Sequence, residues 1–342
     1  MHLPAPRGPL SDRVVTALRR DSDPFRGRAL DLGAYLPASD GLRDEDFQLA
    51  LWVLYELHYR GFDGVDDRAE WDPELLRGRA ELETVLERDL RAATADLLAT
   101  VGDEDGDVVE QIRQLIDAAD GPDVPRFVQR EATRDQFVDL MVQRSIYTLK
   151  ESDPSSFVLP RVDGSVKVAL AELQYDEYGG GRPERLHAAL FAKAMEACGL
   201  ESEYGFYIDH ATAPTLALNN TASFLCLHRR LRGAALGHLA AFEATSTLPC
   251  RKIASGIQRL GLGEAVWDYF DEHVEADAVH EEVALRSICA AAVAAEPALR
   301  SDVLFGAAAC LVIDAVVAED MLTRWRPEPL EAAAAMSHQV SA

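Results

Sequence analysis

Apolar and polar residues almost never alternate with a period of two in this chain; from Asp44 onward they recur at helical spacing. A half-buried strand needs the first pattern and an amphipathic helix the second, so the spacing predicts an all-α bundle. "DEDFQLALWVLYELHYRG" (44–61), "DPELLRGRAELETVLERDLRAATADLL" (72–98) and "GDVVEQIRQLIDAAD" (106–120) each open on an acidic or capping residue. "GPDVP" (121–125) interrupts the pattern. Further helical stretches follow at about 133–151, 164–178, 183–199, 213–246, 264–295 and 300–325, with an internal break allowed in 213–246. "SDPSSFVLPRVDG" (152–164) and "STLPCRK" (246–252) read as turns, and the Pro-, Gly- and Asp-rich residues 1–41 as an irregular arm. There is no internal repeat and no GxGxxG, Walker or nucleophile-elbow motif, which argues against doubly wound α/β enzymes.

Charge narrows the partners. A formal net charge of −24 over 342 residues argues against nucleic acid or an anionic membrane, both of which need a positive surface. A small molecule is the expected partner. The run "VLFGAAACLVIDAVVAEDML" (303–322) is broken by Asp314 and followed by Glu319 and Asp320, so a buried C-terminal helix is expected, not a membrane span. "MHLPAPRGPLSD" lacks a signal-peptide core, and the cysteines at 198, 226, 250, 289 and 310 form no CxxC pair. The expectation is a cytoplasmic protein with reduced, core-facing thiols.

One short stretch carries chemistry. In "DEHVEADAVHEE" (271–282), His273, Asp277 and His280 are spaced four and three apart, within an arc of roughly 60° on a helix. Val266, Phe270, Ala284 and Ile288 continue the same stripe, so three polar side chains sit in the middle of an apolar face. Burying them costs several kcal/mol unless each finds a strong partner, and a divalent metal suits two imidazoles and a carboxylate. The competing reading is a solvated charged face. Against it, Glu272, Glu275, Glu281 and Glu282 point away from the stripe.

Other ligands of the same kind fall on other predicted helices. Glu184-x-x-His187 and Asp277-x-x-His280 are two carboxylate-x-x-His pairs, a recurring feature of dinuclear carboxylate sites in helical bundles. Glu243 follows Leu236, Leu239 and Ala240 on one apolar stripe, and Glu151 follows Leu140 and Tyr147 on another. Glu177 lies just before the triple glycine of "ELQYDEYGGGRPERLH". Taken singly, each glutamate is more often a surface residue; the set is what points to a metal centre.

These residues resemble the heme-oxygenase-like diiron oxygenases, or iron-containing redox enzymes, over roughly residues 131–325. The family signature His-x-x-x-Asp-x-x-His is met by His273, Asp277 and His280; its "EYG" glutamate and following histidine by Glu177 and His187. Glu151 in "YTLKESDP" resembles the first-helix glutamate and Glu243 in "HLAAFEATS" the middle-helix one. Glu177 is preferred as ligand and Glu184 kept as the alternate. The resemblance implies a heme-oxygenase-like domain over 131–326, after an N-terminal helical extension (1–130) and before a tail (327–342).

It also implies two irons, O₂ as co-substrate and electrons from an external donor such as a separate reductase, with no catalytic residue beyond the metal ligands. The long glutamate-to-histidine interval resembles the N-oxygenating members, which suggests N-hydroxylation or nitro formation on an amino acid or small amine in natural-product biosynthesis. Desaturation or carbon–carbon cleavage is the alternative within the family. Outside it stand a heme protein, a zinc hydrolase and a non-catalytic helical metal-binding protein. "HEEVA" (280–284) lacks the second histidine of HExxH, which removes the hydrolase motif. Arg229, Arg230 and Arg232 read either as a carboxylate clamp or as surface decoration. Dimerisation is compatible with the acidic N-terminal half, though no sequence feature requires it.

Overall fold

The computed structural model describes residues 1–19, 30–38, 40–102 and 106–326, apart from the side chains of 274–279; the expected tail at 327–342 lies outside the described residues. The helices are α1 (Pro9–Arg19), α2 (Glu45–Glu56), α3 (Pro73–Leu98), α4 (Val108–Ala118), α5 (Val124–Arg130), α6 (Arg134–Thr148), α7 (Asp153–Ser156) and α8 (Gly164–Glu177). They continue with α9 (His187–Ala197), α10 (Ala213–Leu227), α11 (Arg232–Ala244), α12 (Thr247–Leu260), α13 (Glu264–Glu282), α14 (Ala291–Ala295) and α15 (Arg300–Trp325). No strand occurs among the described residues, as the missing alternation predicts.

Local chemistry starts most of these helices where the sequence places them. The Asp72 carboxylate accepts from the Glu74 and Leu75 amides ahead of α3, with Pro73 in the first turn. Thr133 and Gln136 form a reciprocal capping box at α6, and Thr212 caps α10. The break allowed within 213–246 falls at Arg229–Leu231, between α10 and α11.

Four expectations need correction. The supposed irregular arm contains α1, whose Leu10, Val14, Val15 and Leu18 are buried. Its N-terminus is capped from a distance: the Asp46 carboxylate of α2 accepts from the Leu10 and Ser11 amides. "STLPCRK" is not a turn but the first part of α12, because Pro249 sits where its missing N–H costs nothing. The stretch at 183–199 begins with a 3₁₀ turn at Pro183–Arg185, and α9 starts only at His187. Glu184 and His187 are therefore not stacked on one helix. Finally, 264–295 is not α-helical throughout, since Val283–Ala290 is π-helical immediately beyond His280. Such widened turns recur at functional sites.

Helix α2 is apolar on all sides and runs through the core: Leu49, Ala50, Leu51, Trp52, Val53 and Leu54 are all buried. Beyond it, Glu56 accepts from Lys150 Nζ at 3.0 Å and from Tyr204 OH at 2.7 Å. The Lys150 ammonium also sits 4.0 Å from the centre of the Tyr59 ring. This dry network fixes Lys150, and with it the neighbouring Glu151. Helix α15 is the one described helix long and apolar enough to cross a membrane. Here it packs against α11, with Val303, Ala307, Cys310 and Ile313 in the core.

Candidate metal centre

Six of the seven predicted ligands have described side chains, and all six converge. Glu151 lies just past the C-terminal end of α6, Glu177 is the last residue of α8 and His187 the first of α9. Glu243 comes from the end of α11; His273 and His280 come from α13. All are buried. They form two groups of donors, Glu151–His187–His273 and Glu177–Glu243–His280, and within each group one ligand atom per residue lies within 4.8 Å of the others. The Asp277 side chain falls outside the described residues. Glu184 is exposed and belongs to neither group, so the structure favours Glu177 over the alternate.

Glu177 joins the two groups. Its Oε2 is 3.1 Å from His187 Nδ1 in the first, and its Oε1 is 3.3 Å from His280 Nδ1 in the second. Glu243 Oε2 lies 3.6 Å from the same His280 nitrogen. The rings of His187 and His273 stand 4.5 Å apart. Local backbone makes this junction. Gly179, Gly180 and Gly181 all have positive φ, and a Cβ on Gly179 would sit 2.7 Å from the backbone of Arg185 and Leu186. The chain thus doubles back tightly enough to set His187 beside Glu177. Ser152, the residue after Glu151, is also left-handed at φ 68°, and its hydroxyl donates to Glu177 Oε2 at 3.1 Å. A strained serine at this position fits a site that the surrounding fold over-determines.

Further side chains orient the donors. His273 Nδ1 lies 2.7 Å from the Tyr269 carbonyl one turn earlier. A carbonyl can only accept, so this nitrogen carries a proton, which leaves Nε2, 3.7 Å from Glu151 Oε2, as the nitrogen that can coordinate. Tyr269 OH donates to that same Glu151 oxygen at 3.3 Å. Sequence reasoning missed Tyr269 and Ser152, although a tyrosine four residues before His273 is a visible signal. It also missed Asp176, half-exposed, whose Oδ2 is 3.6 Å from His280 Nε2.

The electrostatics show what a metal would replace. Burial pushes the Glu177 carboxyl up, yet contacts with His187 and His280 outweigh it and hold the group well below the usual carboxylate range. Burial opposes charge on His280, but Glu177 and Glu243 push it up to about 11; His187 is raised against burial by Glu177. Burial also raises the Glu243 carboxyl. His187 Nδ1 and His280 Nδ1 are nevertheless buried without a well-aligned hydrogen bond. Carboxylate and imidazole donors without a thiolate suit iron or manganese, and these poorly satisfied nitrogens fit a coordinated ion better than a hydrogen-bonded core.

One prediction follows from the signs. His280, pushed up to about 11, holds its proton at neutral pH, so an incoming cation must displace it. Ferrous binding is expected to release protons and to strengthen between pH 6 and 8, about tenfold per pH unit for each proton displaced. Calorimetry in buffers of different ionisation enthalpy checks this; a pH-independent affinity contradicts it.

The centre has access from one side. A cavity of about 220 Å³ is lined by Asp176, Gly179, Gly180, Arg182, Arg185 and Glu272 and reaches both His187 and His280. An ion pair between Arg185 and Glu272 closes part of its wall. Elsewhere Phe191, Tyr269 and Phe270, none more than 1% exposed, wall the donors off from water.

Comparison with known proteins agrees with this picture. A family described as iron-containing redox enzyme matches residues 138–315. Nitrosourea synthase from Streptomyces achromogenes subsp. streptozoticus is 26% identical over 228 residues, covering 65% of this chain and 48% of that protein. The chain thus spans about half the length of that relative. The crystal structure of a CADD-like protein of unknown function from Nostoc punctiforme PCC 73102 aligns with a TM-score of 0.51 at 19% identity. That alignment covers 64% of this chain and 96% of the other, a likeness of fold alone.

Proposed function

Because the chain belongs to the iron-containing redox enzyme family and has its heme-oxygenase-like helical fold, we propose that it is a non-heme diiron oxygenase acting on the nitrogen of a small amine or amino acid. The observation that carries the reading is the pair of buried three-donor groups joined by Glu177. Glu151, His187 and His273 would hold one iron and Glu177, Glu243 and His280 the other, with Asp277 as a seventh ligand. When bound, the irons supply redox chemistry with O₂ that no side chain here can perform.

The chain's own residues do the rest. Tyr269 fixes both Glu151 and the tautomer of His273, and Ser152 orients Glu177. The aromatic wall excludes water, which protects reactive species from side reactions. The choice of nitrogen as the oxidised atom rests on the relative named nitrosourea synthase, whose named product carries an oxidised nitrogen. No flavin or nicotinamide motif is visible, so electrons come from a separate reductase or a chemical reductant. None of the five cysteines, all described, is in a disulfide, which supports a cytoplasmic location.

The test is anaerobic loading with ferrous iron followed by exposure to O₂. Uptake of about two irons per chain and O₂ consumption that quickens with an amine substrate are expected, with hydroxylamine or nitro product by mass spectrometry. Iron uptake without O₂ consumption would leave a non-catalytic metal-binding protein.

A further inference from the structure

Next to the metal groups, on the side of α6, α13 and α15, lie three polar side chains that are not fully buried, Arg144, Tyr147 and Asp314. Arg144, Tyr147 and Glu151 follow one another at three and four residues, on one stripe running off the end of α6. The Arg144 guanidinium lies 5.8 Å from the centre of the Phe270 ring, one residue from the Tyr269 that binds Glu151. Tyr147 packs its ring 5.7 Å from Phe242, the residue before Glu243. Across from them on α15, Asp314 keeps more than a third of its surface reachable by water, although it lies deep in the protein. That combination is what a side chain lining a recess shows.

Among the described residues, the side chains of Arg144, Tyr147 and Asp314 have neither hydrogen bond nor ion pair. Of the three arginines offered as carboxylate clamps, Arg230 pairs with Glu87 and Arg232 with Glu296, and Arg229 is exposed at the surface. Arg185, in the access cavity, pairs with Glu272. Arg144 differs in kind. A guanidinium set deep in the protein without a partner is costly to maintain, and the fold retains it beside the metal centre.

The electrostatics agree with the geometry. Burial opposes charge on Arg144, but Tyr269, Cys250, Glu151 and Asp314 all favour it. Burial lifts the Asp314 carboxyl to about 6 while Arg144 pulls it down, so each group feels the other. Burial raises the Tyr147 phenol, and Glu151, Glu177 and Glu243 raise it further, which places the recess against both donor groups.

We propose that Arg144 is the anion-binding residue of the substrate site, taking the carboxylate of a small molecule whose amine end lies toward Glu151 and the metal groups. A planar fork of donors matches a carboxylate bidentately, and the Tyr147 hydroxyl offers a polar partner to the remainder of the ligand. The substrate role rests on the oxygenase reading above; the binding itself does not.

The test therefore uses both metal-free and iron-loaded protein. Hexanoate, 6-aminohexanoate and L-lysine are titrated by calorimetry and thermal shift, against hexylamine and cadaverine, which lack the carboxylate. At least one carboxylate should bind the native chain, and Arg144→Gln should weaken it about 10- to 100-fold with iron content unchanged. Arg144→Lys should recover only part of the affinity. Asp314→Asn, which removes a competing negative charge, should tighten carboxylate binding several-fold and keeps the proposal testable if Arg144→Gln folds poorly. Arg182→Gln in the access cavity should have no effect. Carboxylates that bind Arg144→Gln and native protein equally, that lose affinity in Arg182→Gln instead, or that bind no better than the amines would overturn it. Failure of O₂ consumption with retained carboxylate binding would strike the oxygenase reading alone.

Discussion

Glu177→Ala is expected to abolish iron loading at both donor groups, whereas His280→Ala should leave the Glu151–His187–His273 group able to bind about one iron of two. The asymmetry comes from position. His280 faces Glu177 and Glu243 only within its own group, at 3.3 and 3.6 Å. Glu177 reaches into both, with His187 3.1 Å from one oxygen and His280 3.3 Å from the other. Removing it also leaves His187 and His280 buried without the carboxylate that favours their protonated forms. Glu184→Ala, at an exposed position, should load iron normally. Metal analysis after anaerobic loading, with circular dichroism to confirm folding, separates the three variants. Undiminished iron in Glu177→Ala, or its loss in Glu184→Ala, would reverse the choice between these two glutamates.

That choice shows where sequence reasoning stops. His273 and His280 are legible because a helix fixes their relation locally: seven residues bring two side chains to one face whatever the rest of the chain does. Glu243 and Glu151 are legible for a similar reason, as acids on apolar stripes. Glu177 and Glu184 straddle a loop instead, and spacing favours the tighter pair. The outcome turns on three successive glycines with positive φ, which double the chain back and leave Glu184 outside. Contacts between distant segments are harder still. Nothing near Glu151 announces that its neighbour Lys150 is buried against Glu56, or that Asp46 caps α1. Arg144 looks like an ordinary helical arginine until the Phe270 ring of α13 is set beside it. The helix inventory was readable for the same local reason as the histidines, and it failed where the helix signal was supplied from elsewhere in the fold, as at α1.

The packing that brings Glu243 inward sets the second large effect. Gly237→Ala and Gly306→Ala are each expected to destabilise the protein by about 3 kcal/mol or more, enough to lower Tm by roughly 4 °C or more in a chain of this length. A Cβ on Gly237 would lie 2.7 Å from the Val303 carbonyl carbon; one on Gly306 would lie 2.5 Å from the Ala234 carbonyl carbon, with the oxygen nearer in both cases. The obstacle is backbone, which cannot swing aside as a long side chain would, so α11 and α15 must separate. Alanine's better helix propensity, worth about 1 kcal/mol over glycine, works in the opposite direction and is too small to win. Gly263 supplies the control: a Cβ there meets nothing within 4 Å, so Gly263→Ala should stay within about 0.5 kcal/mol of the native chain. Because Glu243 follows Gly237 by under two turns on α11, the separation should also draw its carboxylate away from His280. Thermal unfolding and iron content are therefore expected to fall together in Gly237→Ala. A variant that unfolds at the native temperature would show that the two helices are not held in the close contact that places Glu243.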